Sequence, residues 1–583
     1  MINNNFSFLI RIFSRLLFVL IGFSLFTHCK QDRKDEKFTL RIRLADEPDC
    51  LHPVVSQSSI ATQIEALIMP PLFEYSPGSL ELSSILITKL SDPIQVNDST
   101  LSYTYQLQPK AVWDDGTSLS SDDVLYTIKS SLNPCLKNKT YIGFFKNIRD
   151  VICSSTDLKS VTFLVNSKYM LNREMSGNYY IYPEYVYDPK KIMRKFSLND
   201  LLKKDSAAWK IEEWNELKAY ANEYQSIDYC REKISGCGAY KLISWQAGSK
   251  IILEKKKNWW GDSLVKDFPL LASYPERIEY LIMPDEASAL LELKKGSIDL
   301  VSDVTPEAFK ELEQNNNDKL SFATPTLLQY LYIEINHRNI ILQSRNVREA
   351  IAHLIDLDAF IKDQYNGLAI KVNSPVHPSV VYYNNSMTQY DFNTVYAADL
   401  LKKDGWKDTN NDGVLDKFIN GKLYDLEFKF KISNKESSKK LGLLLQEEAK
   451  KIGIKINLEP KEAASFMTDL NALNFDLALL VQRRDPKLWD PFQSWSSTNT
   501  KPGGFNKSGY ATSTSDSLIL AIREASDTRI RNDLYLKFQQ LLHDDVAQIF
   551  LLSPKERIAY SKRIKVLESS RRPGYFEGMI NIK

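Results

Sequence analysis

Residues 101–107 alternate between large apolar and small polar side chains, a period of two that predicts a strand with one buried face. A tight turn is predicted at 113–116, because Gly116 follows two aspartates there. Ser120 and Asp123 then stand three apart, as a helix capping box requires, and the apolar residues of 124–132 fall on one helical face. The pattern predicts a strand, a turn and a capped helix in succession.

The same reading finds further elements along the chain. Residues 38–44 alternate as a first strand, and 330–336 reads as another. Residues 246–249 close a predicted hairpin between two apolar-rich strands. The segment 346–356 predicts a helix that docks on a core, since Val347, Ile351 and Leu354 share one face.

Length and composition set broad limits. A chain of 583 residues, 43% hydrophobic and 25% charged, can bury more than one core, and its length suggests two to four domains. Lys and Arg total 75 against 73 for Asp and Glu. Nucleic-acid binding needs a basic excess concentrated on one face, and no such excess is present. The composition therefore predicts an ordinary globular protein without a nucleic-acid partner.

The N-terminus predicts export. Arg11 and Arg15 precede an apolar run at 16–26 that is shorter than the roughly 20 residues a membrane-spanning helix needs. Residues 1–29 therefore read as a signal peptide with a lipobox-like end, and lipidation is expected at Cys29, with 30–37 as a short tether. Ordinary signal-peptide cleavage and an uncleaved anchor are the alternatives. The expected location is the periplasmic space or cell envelope, with a lipid anchor to the membrane.

Five cysteines follow Cys29, and an odd number leaves at least one thiol outside any disulfide. An oxidising compartment permits pairs, and the favoured interpretation is small buried residues with one bridge, such as Cys230 with Cys237, rather than a metal or redox site.

The sequence contains no recognisable catalytic motif. We therefore predict that the protein is not an enzyme and needs no cofactor or metal. Residues 408–413 begin like a calcium loop, but Ile419 occupies the twelfth position, where a bidentate Glu is needed. An Asx-rich turn is the favoured interpretation. Residues 437–509 mimic the three boxes of penicillin-recognising enzymes, but the last two boxes lie too close together for that fold.

The run Y-x-L-x-x-x-x-x-W-x-D-G-T-x-L-x-x-x-D-V in 105–124 closely resembles the signature of the family 5 extracellular solute-binding proteins, the peptide and nickel class that delivers ligands to ABC importers. Further blocks resemble that family in its own order. These are 45–53, 236–261, 277–280, 284–287, 295–299, 346–356, 397–413, 475–491 and 554–560.

The resemblance implies an α/β architecture: a two-lobed periplasmic-binding-protein fold (class II, large peptide-binding type) with an extra inserted domain. Lobe I would be built from 38–75, 236–325 and 553–583, and lobe II from 326–552. The inserted domain would span 76–235, and within it 190–233 has no counterpart in the family pattern.

The resemblance also implies a ligand cleft between the lobes. The loop after the first strand, with Glu47 and Asp49, would approach it, as would the loop QRRDPKLWDP at 482–491. In the family's peptide binders, an acid four residues before the matching proline holds the peptide's amino group. Here that position is Lys487, which puts the substrate in question.

Three interpretations of this loop stay open. Asp485 could take the acid's role, with Arg483 or Arg484 pairing a carboxylate through a bidentate fork. Alternatively, Lys487 faces the cleft and selects an anionic group, or these charges are a solvated rim. Trp489 is expected in the core or the cleft wall.

The implied partners are a short peptide or similar solute and an ABC permease in the cytoplasmic membrane, with the chain acting as a monomer. Nickel chelates, haem and oligosaccharides are the alternative solutes. An envelope enzyme or interaction lipoprotein that no longer serves transport is the alternative from another class.

Overall fold

The structure, a computed structural model, describes residues 38–583 apart from 57, 138–139, 316–317, 485–487 and 526. The predicted signal peptide, the tether and Cys29 therefore lie outside the described residues. The fold is mixed α/β, as expected. No helix in the described part of the chain combines the length and apolar character needed to cross a membrane.

Two large sheets dominate. The first has seven strands, with Thr39–Leu44 near its centre, parallel to both of its neighbours. In spatial order its strands are Leu320–Ala323, Ile558–Ser561, Leu300–Val301, Thr39–Leu44, Arg277–Ile282, Lys250–Lys255 and Tyr240–Gln246. The second has six strands, in the order Ala369–Lys371, Gln548–Pro554, Gln329–Ile335, Leu477–Arg483, Glu427–Ser433 and Lys455–Lys461.

A four-stranded antiparallel sheet lies in the segment expected to be inserted; its strands, in order, are Ile94–Asn97, Thr100–Gln106, Ser160–Asn166 and Ile148–Cys153. Three small antiparallel pairs complete the described strands: Phe73–Tyr75 with Leu82–Ser84, Asp416–Ile419 with Lys422–Asp425, and Ile564–Lys565 with Asn581–Ile582.

Helices cover the sheets. The α-helices are Ser59–Ile68, Ser121–Ser131, Thr140–Phe145, Asn172–Met175, Glu184–Tyr187, Leu198–Lys203, Ile211–Tyr224, Ile227–Arg231, Glu286–Lys295, Pro306–Gln314, Arg345–Ala352, Leu357–Tyr365, Thr394–Lys403, Glu436–Lys451, Ala463–Asn471, Phe492–Trp495, Ser513–Glu524 and Thr528–Asp544. Short 3-10 turns are Ile192–Lys195, Ser206–Ala208, Asp262–Leu264, Pro269–Leu271, Ser497–Asn499 and Glu577–Met579.

The predicted local elements at 101–132 are confirmed. The strand is Thr100–Gln106, and the helix begins at Ser121 with Ser120 as its cap. Asp123 accepts hydrogen bonds from the Ser120 backbone N–H at 2.9 Å and from the Trp113 indole N–H at 3.3 Å. The carboxylate thus ties the turn to the helix start.

The helix predicted at 346–356 ends earlier than expected, at Ala352. Asp356 instead caps the next helix, because its side chain accepts a hydrogen bond from the Ala359 backbone N–H at 2.9 Å. The predicted Asx-rich turn is confirmed, since Asp408 accepts hydrogen bonds from the backbone N–H groups of Asp412 and Gly413.

The disulfide pairing offered from the sequence was wrong. Cys230 is bonded to Cys50, 180 residues away, and not to Cys237. The Leu51 backbone N–H donates to the Cys230 carbonyl at 2.9 Å, which brings the loop after the first strand against the end of the 76–235 segment. Cys237 is fully buried, and its carbonyl accepts hydrogen bonds from two tryptophan indoles.

The hydrophobic cores show how the parts are joined. One cluster contains residues of the seven-stranded sheet, such as Leu40, together with residues of 76–235, such as Phe163 and Tyr224. The segment 76–235 therefore packs on the first lobe through a shared core, and its treatment as a separate inserted domain stays a prediction. Residues 326–552 supply three other clusters, and the two larger ones lie on the two faces of the six-stranded sheet.

Candidate ligand-binding cleft

The chain passes between the two large sheets twice. The first passage, 324–328, follows the strand Leu320–Ala323, and the second, 555–557, follows Gln548–Pro554. An isolated bridge pairs Thr326 with Lys555, and the Glu556 backbone N–H donates to the Pro325 carbonyl at 2.8 Å. Two short adjacent segments are the arrangement that permits hinge closure of one lobe on the other.

A cavity of about 480 Å³ lies beside these passages. The first lobe supplies most of its wall, from the helix Ser59–Ile68, the loop 270–273 and the C-terminal segment 570–579. The opposite wall consists of residues 327–329, at the end of the first passage, and of Arg483 and Arg484 from the second lobe. Its volume lies within the range of sites for small organic ligands.

A second cavity, of about 240 Å³, continues from the first. Both are lined by Leu328, Arg483 and Arg484, so they are two parts of one interlobe cleft. The second part is walled chiefly by the second lobe, including His377, Tyr382 and Trp489.

Arg484 is held by aromatic rings. Its guanidinium carbon lies 5.0 Å from the ring centre of Trp489 and 5.9 Å from that of Tyr330. Its Nη2 also donates to the Tyr330 hydroxyl at 3.2 Å. Stacking over rings stabilises the cation and fixes its direction.

Trp489 is itself fixed, with 7% of its surface exposed. Its backbone N–H donates to the Tyr382 hydroxyl at 3.1 Å, and the Tyr535 hydroxyl donates to its carbonyl. The indole therefore forms a rigid part of the cleft wall.

The C-terminal segment adds two arginines to the cavity. Arg571 pairs with Glu74 at 3.1 Å and donates to the Tyr75 carbonyl at 2.7 Å. Arg572 donates from Nη2 to the Gln329 Oε1 at 2.9 Å. Arg572 thus connects the first lobe to the first strand residue of the second.

Glu577 is the buried acid of the cavity. The Tyr280 hydroxyl donates to its carboxyl at 3.1 Å, and the Gln63 side chain donates to the same oxygen. Burial raises the pKa of Glu577 to about 7. This group can change charge near neutral pH, which makes it a weak source of negative charge for the cleft.

The two parts of the chain also touch away from the hinge, at residues 168–171. The guanidinium carbon of Arg523 lies 5.9 Å from the Tyr169 ring centre, and Lys168 lies 4.0 Å from Glu524. Met170 packs against a core cluster of the second lobe. This segment therefore bridges the lobes.

The residues expected from the sequence fall into three groups. Arg483 and Trp489 line the cleft. Glu47 and Asp49 lie outside both cavities. Glu47 accepts from the Trp245 indole at 2.5 Å and from the Gly248 N–H at 2.9 Å, while Asp49 accepts from the Ser56 hydroxyl at 2.5 Å.

The ligand role expected for Glu47 and Asp49 stays a prediction, and both carboxylates have partners within the first lobe. Asp485 and Lys487 lie outside the described residues, between Arg484 and Leu488, which both line the cleft. Sequence reasoning missed Glu74, Gln329, Arg572 and Glu577. The adjacent arginines at 571–572 were the one local signal available.

Comparison with known proteins matches these features. The model of the bacterial extracellular solute-binding proteins, family 5 Middle, matches residues 82–505. The chain is 24% identical over 522 residues to the oligopeptide-binding protein AppA of Bacillus subtilis (strain 168), covering 89% of this chain and 87% of that protein.

Solved structures show the same fold. That of AppA from Bacillus subtilis in complex with a nonapeptide superposes with a TM-score of 0.70 at 21% identity, covering 94% of this chain and 100% of that chain. That of NikA from Brucella suis in complex with Fe(III)-EDTA gives 0.73 at 17% identity, with the same coverage. Because the family model matches residues 82–505, more than half of the chain, the chain belongs to the family 5 bacterial extracellular solute-binding proteins.

Proposed function

We propose that this protein is the solute-binding component of an ABC importer, that it captures short peptides in the interlobe cleft and that it passes them to a membrane permease. The observation that carries the proposal is the cleft itself, lined by both lobes beside a two-segment hinge. The similarity to an oligopeptide-binding protein along most of the chain supports peptides as the solute.

The cleft suits a peptide chemically. Apolar and aromatic side chains such as Tyr180, Trp259 and Phe576 form much of the larger cavity, and a few polar groups interrupt them. Apolar walls accept varied side chains, whereas the polar groups fix the orientation of the main chain. The protein binds its ligand and releases it unchanged. Each monomer offers one cleft.

Asp485 and Lys487 are proposed to read the charge of the ligand's end. Both belong to a three-residue segment flanked by the cleft-lining residues Arg484 and Leu488. An acid there would hold a peptide's amino group, and a lysine would select an anionic group.

Export and anchoring complete the proposal. The Cys50–Cys230 disulfide suits an oxidising compartment outside the cytoplasm. Lipidation of Cys29 would hold the protein at the membrane beside its permease. Labelled palmitate should enter the wild-type protein and be absent from Cys29→Ala; label retained by the variant would contradict the anchor.

The function is tested on the protein without residues 1–37. Mass spectrometry of co-purified small molecules should identify peptides, and solution scattering should show a smaller radius of gyration when such a peptide is added back. The peptide should be recovered intact after incubation. An unchanged radius of gyration at saturation, or cleavage of the peptide, would contradict the proposal.

A further inference from the structure

The larger cavity carries an excess of positive charge. Among the residues that the structure describes, its lining includes four arginines (Arg483, Arg484, Arg571 and Arg572) and two carboxyl groups (Glu74 and Glu577). Glu577 offsets only part of that charge near neutral pH, because its burial raises its pKa to about 7.

Two of the arginines have partners within the protein, although the buried Nε of Arg484 has no hydrogen-bond partner among the described residues. Arg571 has Glu74 as an ion-pair partner, and Arg484 lies over two aromatic rings. Among the residues that the structure describes, neither Arg483 nor Arg572 has a carboxylate within ion-pair distance, and the carboxylates that act on them from farther away are Asp303 on Arg483 and Glu556 on Arg572. Arg572 donates to the neutral Gln329 amide, and the Arg483 guanidinium makes no hydrogen bond or ion pair within that part of the chain.

Arg483 and Arg572 converge on the same residue. Gln329 and Arg483 are directly paired across neighbouring antiparallel strands, so their side chains leave the sheet on one face about 5 Å apart at Cβ. Arg572 reaches the Gln329 amide from the other lobe at 2.9 Å. Two cations therefore flank one glutamine at the hinge end of the cleft.

The two guanidiniums repel one another. The pKa of Arg483 is lowered, first by partial burial and then by Arg572. Asp303 acts in the opposite direction, but its side chain is 81% exposed and lies nearer to Arg557, at 3.9 Å. A like-charged pair facing a cavity leaves room for an anion to neutralise it.

We infer that Arg483 and Arg572 form a subsite for a carboxylate of the bound solute. Each guanidinium presents a planar fork that matches a carboxylate. Because one arginine comes from each lobe, the bound carboxylate also draws the lobes together at the hinge. This inference rests on the proposed function and specifies one group that the solute must carry. The carboxylate is either a peptide's C-terminus or an acidic side chain.

Calorimetry with three peptides separates these sources: tetra-alanine with a free C-terminus, its C-terminal amide, and that amide with one alanine replaced by glutamate. The wild type should bind at least one carboxylate-bearing peptide about 10- to 100-fold more tightly than the plain amide, the effect expected of charge-assisted hydrogen bonds. Preference for the free acid identifies the C-terminus, and preference for the glutamate amide identifies the side chain.

Arg483→Gln and Arg572→Gln should each reduce this preference to about twofold or less, because the loss of affinity falls mainly on the carboxylate-bearing peptide. Arg529→Gln is the matched control, because the Arg529 side chain is 93% exposed. It should leave the preference unchanged. Equal binding of all three peptides by the wild type would overturn the carboxylate subsite while leaving the peptide-binding function standing.

A wild type that binds none of the peptides would count against the proposed function, and glutarate would then decide the subsite. Glutarate should raise the unfolding temperature of the wild type above that in sodium chloride of equal ionic strength, and should not do so for either cleft variant. This result would support the subsite for a different carboxylate solute. No rise in the wild type would overturn the subsite as well.

Discussion

The disulfide between Cys50 and Cys230 should contribute strongly to the stability of the first lobe. It closes a chain segment of 180 residues. In the chain-entropy model, closing a loop of that length in the unfolded state stabilises the folded protein by about 5 kcal/mol at 25 °C. We therefore expect a large loss of stability when both cysteines are replaced by alanine.

The loss can be expressed as a temperature. The disulfide lies within the first lobe, which shares a core with 76–235. Together they form a unit of about 300 residues, for which the unfolding entropy is about 0.6 kcal/mol/K. A loss of about 5 kcal/mol then lowers the unfolding temperature of this unit by about 8 °C. The clusters of the second lobe contain neither cysteine, so its own transition should stay in place.

Differential scanning calorimetry of Cys50→Ala/Cys230→Ala measures the shift. Cys237→Ala is the matched control, because Cys237 is equally buried but forms no disulfide. It should lose only the small contribution of its packing. A double variant within about 1 °C of the wild type, or a peptide map that joins Cys230 to Cys237, would refute the reasoning.

Three other predictions follow from particular side chains. Burial, with a smaller contribution from Asp49, raises the pKa of Glu65 from 4.5 to about 8, so the folded state binds the extra proton and Glu65 lowers stability as pH rises through this window. Glu65→Gln should therefore gain roughly 2–4 kcal/mol over the wild type between pH 5 and pH 8.5 in denaturant titrations; a constant difference would contradict this. In calorimetry with the co-purified ligand, Asp485→Asn should weaken the binding free energy by about 2–5 kcal/mol if an amine is held there. Lys487→Ala should show that loss instead if an anion is selected. Two variants that bind like the wild type would mean that neither residue recognises the ligand's charge. Tyr169→Ala removes a contact with Arg523 between the lobes and should speed ligand dissociation in stopped-flow experiments about two- to fivefold, whereas an unchanged rate would show that this contact does not hold the lobes closed.

The sequence best predicted those structural features that depend on residues close together in the chain. The capping box at Ser120 and Asp123, the hairpin at 246–249 and the alternating strand at 101–107 each depend on residues within a few positions, and the structure confirms all three. The helix after Arg345 was predicted too long, because Asp356 was read as its last turn when it caps the following helix. A single aspartate between two helices can belong to the last turn of the first helix or cap the start of the second. The local sequence pattern does not distinguish these two roles.

The disulfide and the carboxyl groups of the opening loop show a second limit. Spacing made Cys237 the nearest candidate for Cys230, yet the disulfide joins Cys230 to Cys50 across 180 residues, beside the backbone hydrogen bond between Leu51 and Cys230. Glu47 satisfies its charge on the hairpin at Trp245 and Gly248, which comes about 200 positions later. Only the assembled sheet brings these groups together. A sequence motif could therefore identify the loop, but it could not predict where the side chains of the loop point.

The charge of the cleft depends on still more distant contacts. Arg483 and Arg572 stand 89 positions apart in the chain, and each would read as an ordinary solvated cation from its own neighbours. The antiparallel register places Arg483 opposite Gln329, and the second passage between the lobes returns Arg572 to the same glutamine. The hinge that lets the lobes close is therefore also what sets one cation from each lobe at the end of the cleft. Closure and recognition of the solute's charge are in this way coupled through Gln329, and a solute without a carboxylate would leave the two guanidiniums opposing the closed state.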